Sequence, residues 1–121
     1  MSDDAAAADA LLQRILEARR QWVDVGDGAY LHLQRPDVTS LHGGTVADRL
    51  VDAVIGWRGV TLGHVLGGAA SADERERSAP FSPALCDAVL RDNPAWLSAA
   101  ADAFAAALQQ HLQAREAAAG N

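Results

Sequence analysis

Four histidines and one cysteine are the most versatile chemical groups in this sequence. His32, His42, His64 and His111 fall on what read as a strand, a turn, a loop and a helix. No two of them have the i, i+4 spacing by which one helix face offers two imidazoles to a metal, and no carboxylate completes a ligand set. Each reads as a surface or half-buried side chain, and no metal is expected. Cys86 lies in the apolar run Leu85-Cys86-Asp87-Ala88-Val89-Leu90 and reads as a small buried hydrophobe, not a reactive thiol. Standing alone, it excludes an internal disulfide. Ser40, Ser82 and Ser98 lack the Gly-x-Ser-x-Gly elbow that exposes a nucleophile. Gly63-His64-Val65-Leu66-Gly67-Gly68 has glycine in common with a phosphate loop, but it lacks the Gly-Lys-Ser/Thr ending. Asp73-Glu74-Arg75-Glu76-Arg77 mixes signs along its length and reads as a solvated patch. These side chains do not add up to a catalytic constellation, and neither enzyme activity nor a cofactor is expected.

The elements that must hold these residues are bounded by composition. The chain has 121 residues, about one domain's worth, read as a single domain over 1–121. Half of it is hydrophobic, but 27 of those residues are alanine, which leaves enough larger side chains for one modest core and not for two. Every basic residue is arginine, and the net charge of −6 repels a phosphate backbone, so no nucleic-acid partner is expected. No run approaches the ~18 uninterrupted apolar residues of a membrane helix. The start, Met-Ser-Asp-Asp, is acidic where a signal peptide is basic, so the expected location is the cytoplasm.

Residues 5–20 read as a helix, with Ala8, Leu11, Leu12, Ile15 and Leu16 on one stripe. Arg19 and Arg20 suit its negative end. The period then switches to two. Trp22, Val23 and Val25 precede Gly26-Asp27-Gly28, and Tyr30, Leu31 and Leu33 follow it, which predicts a hairpin ended by Pro36. Residues 45–57 predict a second helix, opened by Thr45 with Asp48 and striped by Val46, Leu50, Val51, Val54 and Ile55. Residues 61–79 carry little pattern and read as a long loop, either functional or disordered, with disorder the expected state. Ser82 as cap with Pro83 at the first turn starts a third helix, and Phe81 is placed to staple onto Cys86. Asn93 as cap with Pro94 starts a fourth, running to about Ala114 along Leu97, Ala101, Phe104, Leu108 and Leu112. Residues 1–4 and 115–121 read as flexible ends.

The fold class expected is therefore α+β and mainly α: an N-terminal helix, one hairpin and about three further helices in a small irregular bundle. Trp22, Tyr30, Leu50, Val54, Trp57, Phe81, Val89, Leu97, Phe104 and Leu108 are the expected core.

One constellation is more specific. Val54-Ile55-Gly56-Trp57-Arg58-Gly59-Val60, a variable loop, and then Ala79-Pro80-Phe81-Ser82-Pro83 before a helix that ends at Asn93-Pro94 resembles the tail assembly chaperones of long-tailed bacteriophages and prophages. The resemblance covers roughly residues 45–112, and Arg35-Pro36 after the hairpin is also similar to many members. The interval from Val60 to Pro80 is longer than usual in that family, and Arg58 stands where an acid is common. The motif residues Gly56, Trp57, Gly59, Val60, Pro80, Phe81, Ser82 and Pro83 are expected to be structural, with Trp57 closing over Phe81.

The resemblance implies a non-catalytic protein that binds the tape-measure protein, keeps that long chain soluble, recruits tail-tube subunits, and leaves before the virion is complete. It implies the cytoplasm of the bacterial host and absence from the mature particle. The hairpin edge suggests self-association as a homo-oligomer. Ala119-Gly120-Asn121 can be encoded so as to contain a slippery heptamer, which suggests a −1 frameshift product. The alternatives are a head–tail connector or tail completion protein, and a small bacterial ligand-binding or regulatory domain.

Overall fold

The computed structural model describes residues 2–37, 39 and 45–120. Ser40, His42 and Asn121 lie outside them. The order of elements is α1 (Ser2–Ala18), β1 (Arg20–Gly26), β2 (Ala29–Gln34), α2 (Val46–Ala53), β3 (Val54–Arg58), α3 (Leu62–Leu66), α4 (Pro83–Asp92) and α5 (Pro94–Ala119). The fold is α+β and mainly α, as the periodicities require.

The hairpin turns where three consecutive residues adopt positive φ: Gly26 at 95°, Asp27 at 57° and Gly28 at 77°. Asp24 assists by accepting the Gly26 N–H at 2.9 Å. Two glycines make this turn accessible, and aspartate tolerates the left-handed region between them. The strands form an antiparallel sheet in the order β1-β2-β3, with β2 in the centre. Alternation sends Val23, Val25, Leu31 and Leu33 to the inner face, where each is buried. That face packs into a single cluster with Leu50 and Val51 of α2, Cys86, Val89 and Leu90 of α4, and Trp96 and Ala100 of α5. The Gln21 side chain donates to the Ala103 carbonyl at 3.3 Å, fastening β1 to α5.

The third strand departs from the sequence expectation. The helix foreseen over 45–57 stops at Ala53, and Val54 is already extended at φ −81°, ψ 121°. Its start matches, since Thr45 and Asp48 form a reciprocal capping box. The apolar positions of Val54 and Ile55 continue the helical stripe, so the pattern hides the change. What decides it is pairing with β2, where Leu31 opposes Trp57 and Leu33 opposes Val54 across a bulge.

The segment 61–79 is not a structureless loop. It contains α3, a 3-10 turn at Gly67–Ala69, and a bridge between Thr61 and Ser78. α3 opens with a capping box in which His64 Nδ1 accepts the Thr61 N–H at 3.0 Å and Thr61 Oγ1 accepts the His64 N–H at 3.2 Å. The His64 ring also meets Trp96 edge-on, with centroids 5.2 Å apart.

Other boundaries also move. α1 ends at Ala18 and Arg20 opens β1, while helix extends through residues 2–4 and 115–119, where flexible ends were expected. Ser82 caps α4 as expected, accepting the Leu85 N–H at 3.0 Å. Asn93 makes no side-chain cap for α5; its amide donates instead to the Val89 carbonyl at 2.6 Å, closing the end of α4. Of the expected core, Leu50, Val54 and Val89 are buried, and Tyr30, Trp57, Phe81, Leu97, Phe104 and Leu108 are half-buried. Trp22 is exposed, because strand alternation places it opposite Val23 on the outer face. Trp96, which lies off the expected leucine row, is the buried indole.

Candidate functional site

The sequence motif assembles into a clip at the edge of the core. Gly56 and Trp57 lie on β3, and Val60 follows it, almost fully buried. Trp57 Nε1 donates to the Ala79 carbonyl at 2.9 Å, and Ala79 N–H donates to the Val60 carbonyl at 2.8 Å. The Trp57 and Phe81 rings meet at 89° with centroids 5.3 Å apart. Gly59 holds φ at +71°, and a Cβ there would collide with the Gly28 carbonyl oxygen. Pro80 is exposed, and Ser82 and Pro83 form the entry to α4. The motif thus joins the end of β3 to the start of α4.

The groups with chemical potential stay apart. Cys86 is fully buried, and burial, reinforced by Asp87, pushes its thiol up to about 11. His32 stacks on Trp22 at 4.3 Å on the outer face of the sheet. Burial lowers its pKa, and Arg20 and Arg58 add to the effect. Arg58 lies 4.5 Å from the Trp22 ring centroid and 4.7 Å from that of Tyr30. Among the described residues no group of His, Cys, Asp and Glu has the makings of a metal site.

The open surface of interest lies elsewhere. α1 stands off the core: Leu11, Leu12 and Ile15 are 56%, 50% and 48% exposed. The expected stripe is real, but within the chain it has little to pack against. Leu112, near the end of α5, is also exposed. Between the two helices lies a cleft of about 530 Å³. Ile15, Ala18 and Ala107 give it apolar walls, and Arg19, Arg20, Arg35 and Arg115 bring positive charge into it beside His111. Among the described residues no carboxylate lines it. A shallower apolar depression along Leu11, Arg14, Ile15 and Ala18 continues it on α1.

Arg19 and Arg35 are tied together through backbone groups, and Arg20 through a side chain. Arg35 N–H donates to the Arg19 carbonyl at 2.9 Å, which brings the two residues together although the whole hairpin separates them in sequence. Arg35 is buried, and its guanidinium donates to the Pro36 carbonyl at 2.9 Å. Arg20 Nε donates to Gln34 Oε1 at 2.9 Å. Among the described residues Arg19 Nε is buried and has no hydrogen-bond partner. Burial lowers the Arg35 pKa and Arg19 lowers it further, while Asp37 opposes them. His111 is lowered by desolvation and then by Arg35, Arg115 and Arg19. Nothing in the sequence pointed to this cluster, because its members lie far apart along the chain.

Comparison of the chain with protein-family models, curated proteins and solved structures finds no match. Among the described residues no helix is long and apolar enough to cross a membrane.

Proposed function

We propose that the chain is a tail assembly chaperone of a long-tailed phage or prophage, which binds the tape-measure protein and aids tail-tube assembly without catalysis. The observation that carries this reading is the uncovered row Leu11, Leu12 and Ile15 on α1. A helix that buries little of its own apolar face is a docking surface for an amphipathic partner helix. A tape-measure protein is a long helical chain that needs such faces covered until the tube encloses it. The acidic charge of the chaperone, −6 overall, keeps the complex dispersed. The resemblance of the Gly-Trp and Pro-Phe-Ser segments to that family gives the same direction, and their role here as a clip leaves α1 free for the work.

Co-expression with a tape-measure protein from the same genome, once one is identified there, tests it. Wild-type chain should hold that protein in the supernatant, and Leu11→Gln/Ile15→Gln should not, at unchanged melting temperature. A tape measure that is equally soluble with the double variant would overturn the reading. The chain should also be missing from purified particles by mass spectrometry; its presence there would favour a connector or completion protein.

A further inference from the structure

We propose that the cleft between α1 and α5 receives a carboxylate carried on an apolar helical segment of a protein partner. Arg35, Arg19 and Arg115 take the carboxylate, and Ile15, Leu11 and Leu12 take the apolar residues that follow it. The inference rests on the reading of α1 as a docking surface and adds the chemistry of what docks.

Charge is the first argument. A chain of net charge −6 gathers four of its ten arginines around one cleft that no carboxylate lines among the described residues. The two guanidinium-bearing residues that share a backbone hydrogen bond, Arg19 and Arg35, repel one another, and both are wholly or partly withdrawn from water. Asp37 answers part of the Arg35 charge, and the remaining cations around the cleft are left for an anion from outside the chain. The second argument is an unmet donor. Among the described residues Arg19 Nε is buried without a partner, whereas buried donors are rarely left unpaired, so a turn of the Arg19 guanidinium toward the cleft is what would pair it. The third is shape. Ile15 and Ala18 line both the cationic cleft and the apolar depression beyond it, so the two are one continuous surface. A small anion fills only the charged end of that surface. A helix with an acid in one turn and leucines three and four residues apart beyond it fills both. Arginine suits the charged end because its planar fork binds a carboxylate by paired hydrogen bonds.

Fluorescence anisotropy of the intact chain with two labelled alanine-based helical peptides provides the test. One carries two glutamates in its first turn followed by a leucine stripe; the other has glutamine in place of both glutamates. The glutamate peptide should bind about tenfold more tightly, and added salt should erase the difference. Arg115 is exposed, so Arg115→Gln leaves the fold intact; it should weaken the glutamate peptide about tenfold and leave the glutamine peptide unchanged. Arg115→Lys should restore part of the loss, and Ile15→Gln should weaken both peptides. Equal binding of the two peptides, or an equal effect of Arg115→Gln on both, overturns the proposal. Inorganic phosphate should compete weakly, against the glutamate peptide alone; phosphate binding tighter than the peptide would make the ligand a free anion and overturn it. Sedimentation that shows self-association abolished by Arg115→Gln would assign the cleft to a second copy, and so also overturn it. A tape-measure protein kept soluble equally by wild type and Arg115→Gln would remove the carboxylate subsite while leaving the proposed function standing.

Discussion

Trp57 and Phe81 meet edge-on, with ring centroids 5.3 Å apart at 89°, and the same indole donates its N–H to the Ala79 carbonyl at 2.9 Å. One side chain on β3 therefore holds the approach to α4 twice, through its ring and through its nitrogen. Trp57→Phe keeps a ring and removes the donor, leaving the carbonyl of buried Ala79 without this bond. The expected loss is about 1–3 kcal/mol in urea unfolding. A double-mutant cycle with Phe81→Leu should give a coupling of about 0.5–1.5 kcal/mol, the range of edge-to-face pairs. Additive losses would show that the rings are merely adjacent.

Two glycines of the same segment should respond oppositely to a methyl group. At Gly59 the backbone is left-handed at φ +71° and a Cβ runs into the Gly28 carbonyl. Gly59→Ala should destabilise by more than about 2 kcal/mol, through strain and displacement of the hairpin turn. At Gly56 a Cβ meets only His32 Cβ at 3.8 Å, an ordinary contact. Gly56→Ala should be neutral or slightly stabilising, since glycine in a strand interior costs entropy. Thermal melts of the two variants side by side check this.

These residues also mark where the sequence could be read and where it could not. Ser82-Pro83 and Asn93-Pro94 announce helix starts because each rule is local, even though Asn93 turns its amide to α4. Gly26-Asp27-Gly28 announces a turn for the same reason. β3 was hidden because Val54 and Ile55 satisfy helical and strand periods alike, and its identity is settled by β2. Trp22, expected in the core, is exposed, and Trp96, not named among the expected core, is buried. Indole size argues for burial, whereas strand phase exposes the first and the rotation of α5 buries the second. The stripe on α1 was legible, but that it would remain uncovered was not. The arginine cleft left no trace at all, since Arg19, Arg35 and Arg115 are brought together by tertiary packing.

Cys86 should behave as a titrating core residue. Its thiol is pushed from 9.0 up to about 11, chiefly by burial, so the folded state holds the proton more tightly than the unfolded chain. The stability this contributes is complete below pH 9.0 and is lost as pH rises toward about 11. Cys86→Ala should be less stable at neutral pH because it leaves a small void, but its stability should fall less steeply over that alkaline interval. Ellman's reagent should label the native chain slowly and the urea-unfolded chain at once. Rapid labelling of the folded protein would contradict the burial.

Asp48 joins two helices and should set part of the acid limb of stability. It completes the cap of α2 with Thr45 and accepts from Arg91 of α4 at 2.6 Å, while Arg91 also holds Asp87 at 2.6 Å. Arg91 first, then the hydrogen bonds from Thr45, lower the Asp48 pKa below its ordinary 3.8. A carboxylate lowered on folding stabilises the native state above its unfolded value, and the gain disappears as pH falls through the folded one. Wild type should therefore lose more stability than Asp48→Asn between about pH 5 and pH 2. All three side chains are near half-exposed, so the difference should be small and should shrink in about 1 M salt. Arg91→Gln should flatten the acid limb as well, since it removes the cation that lowers Asp48. Parallel acid limbs in the three proteins would show that the pair contributes nothing to folding.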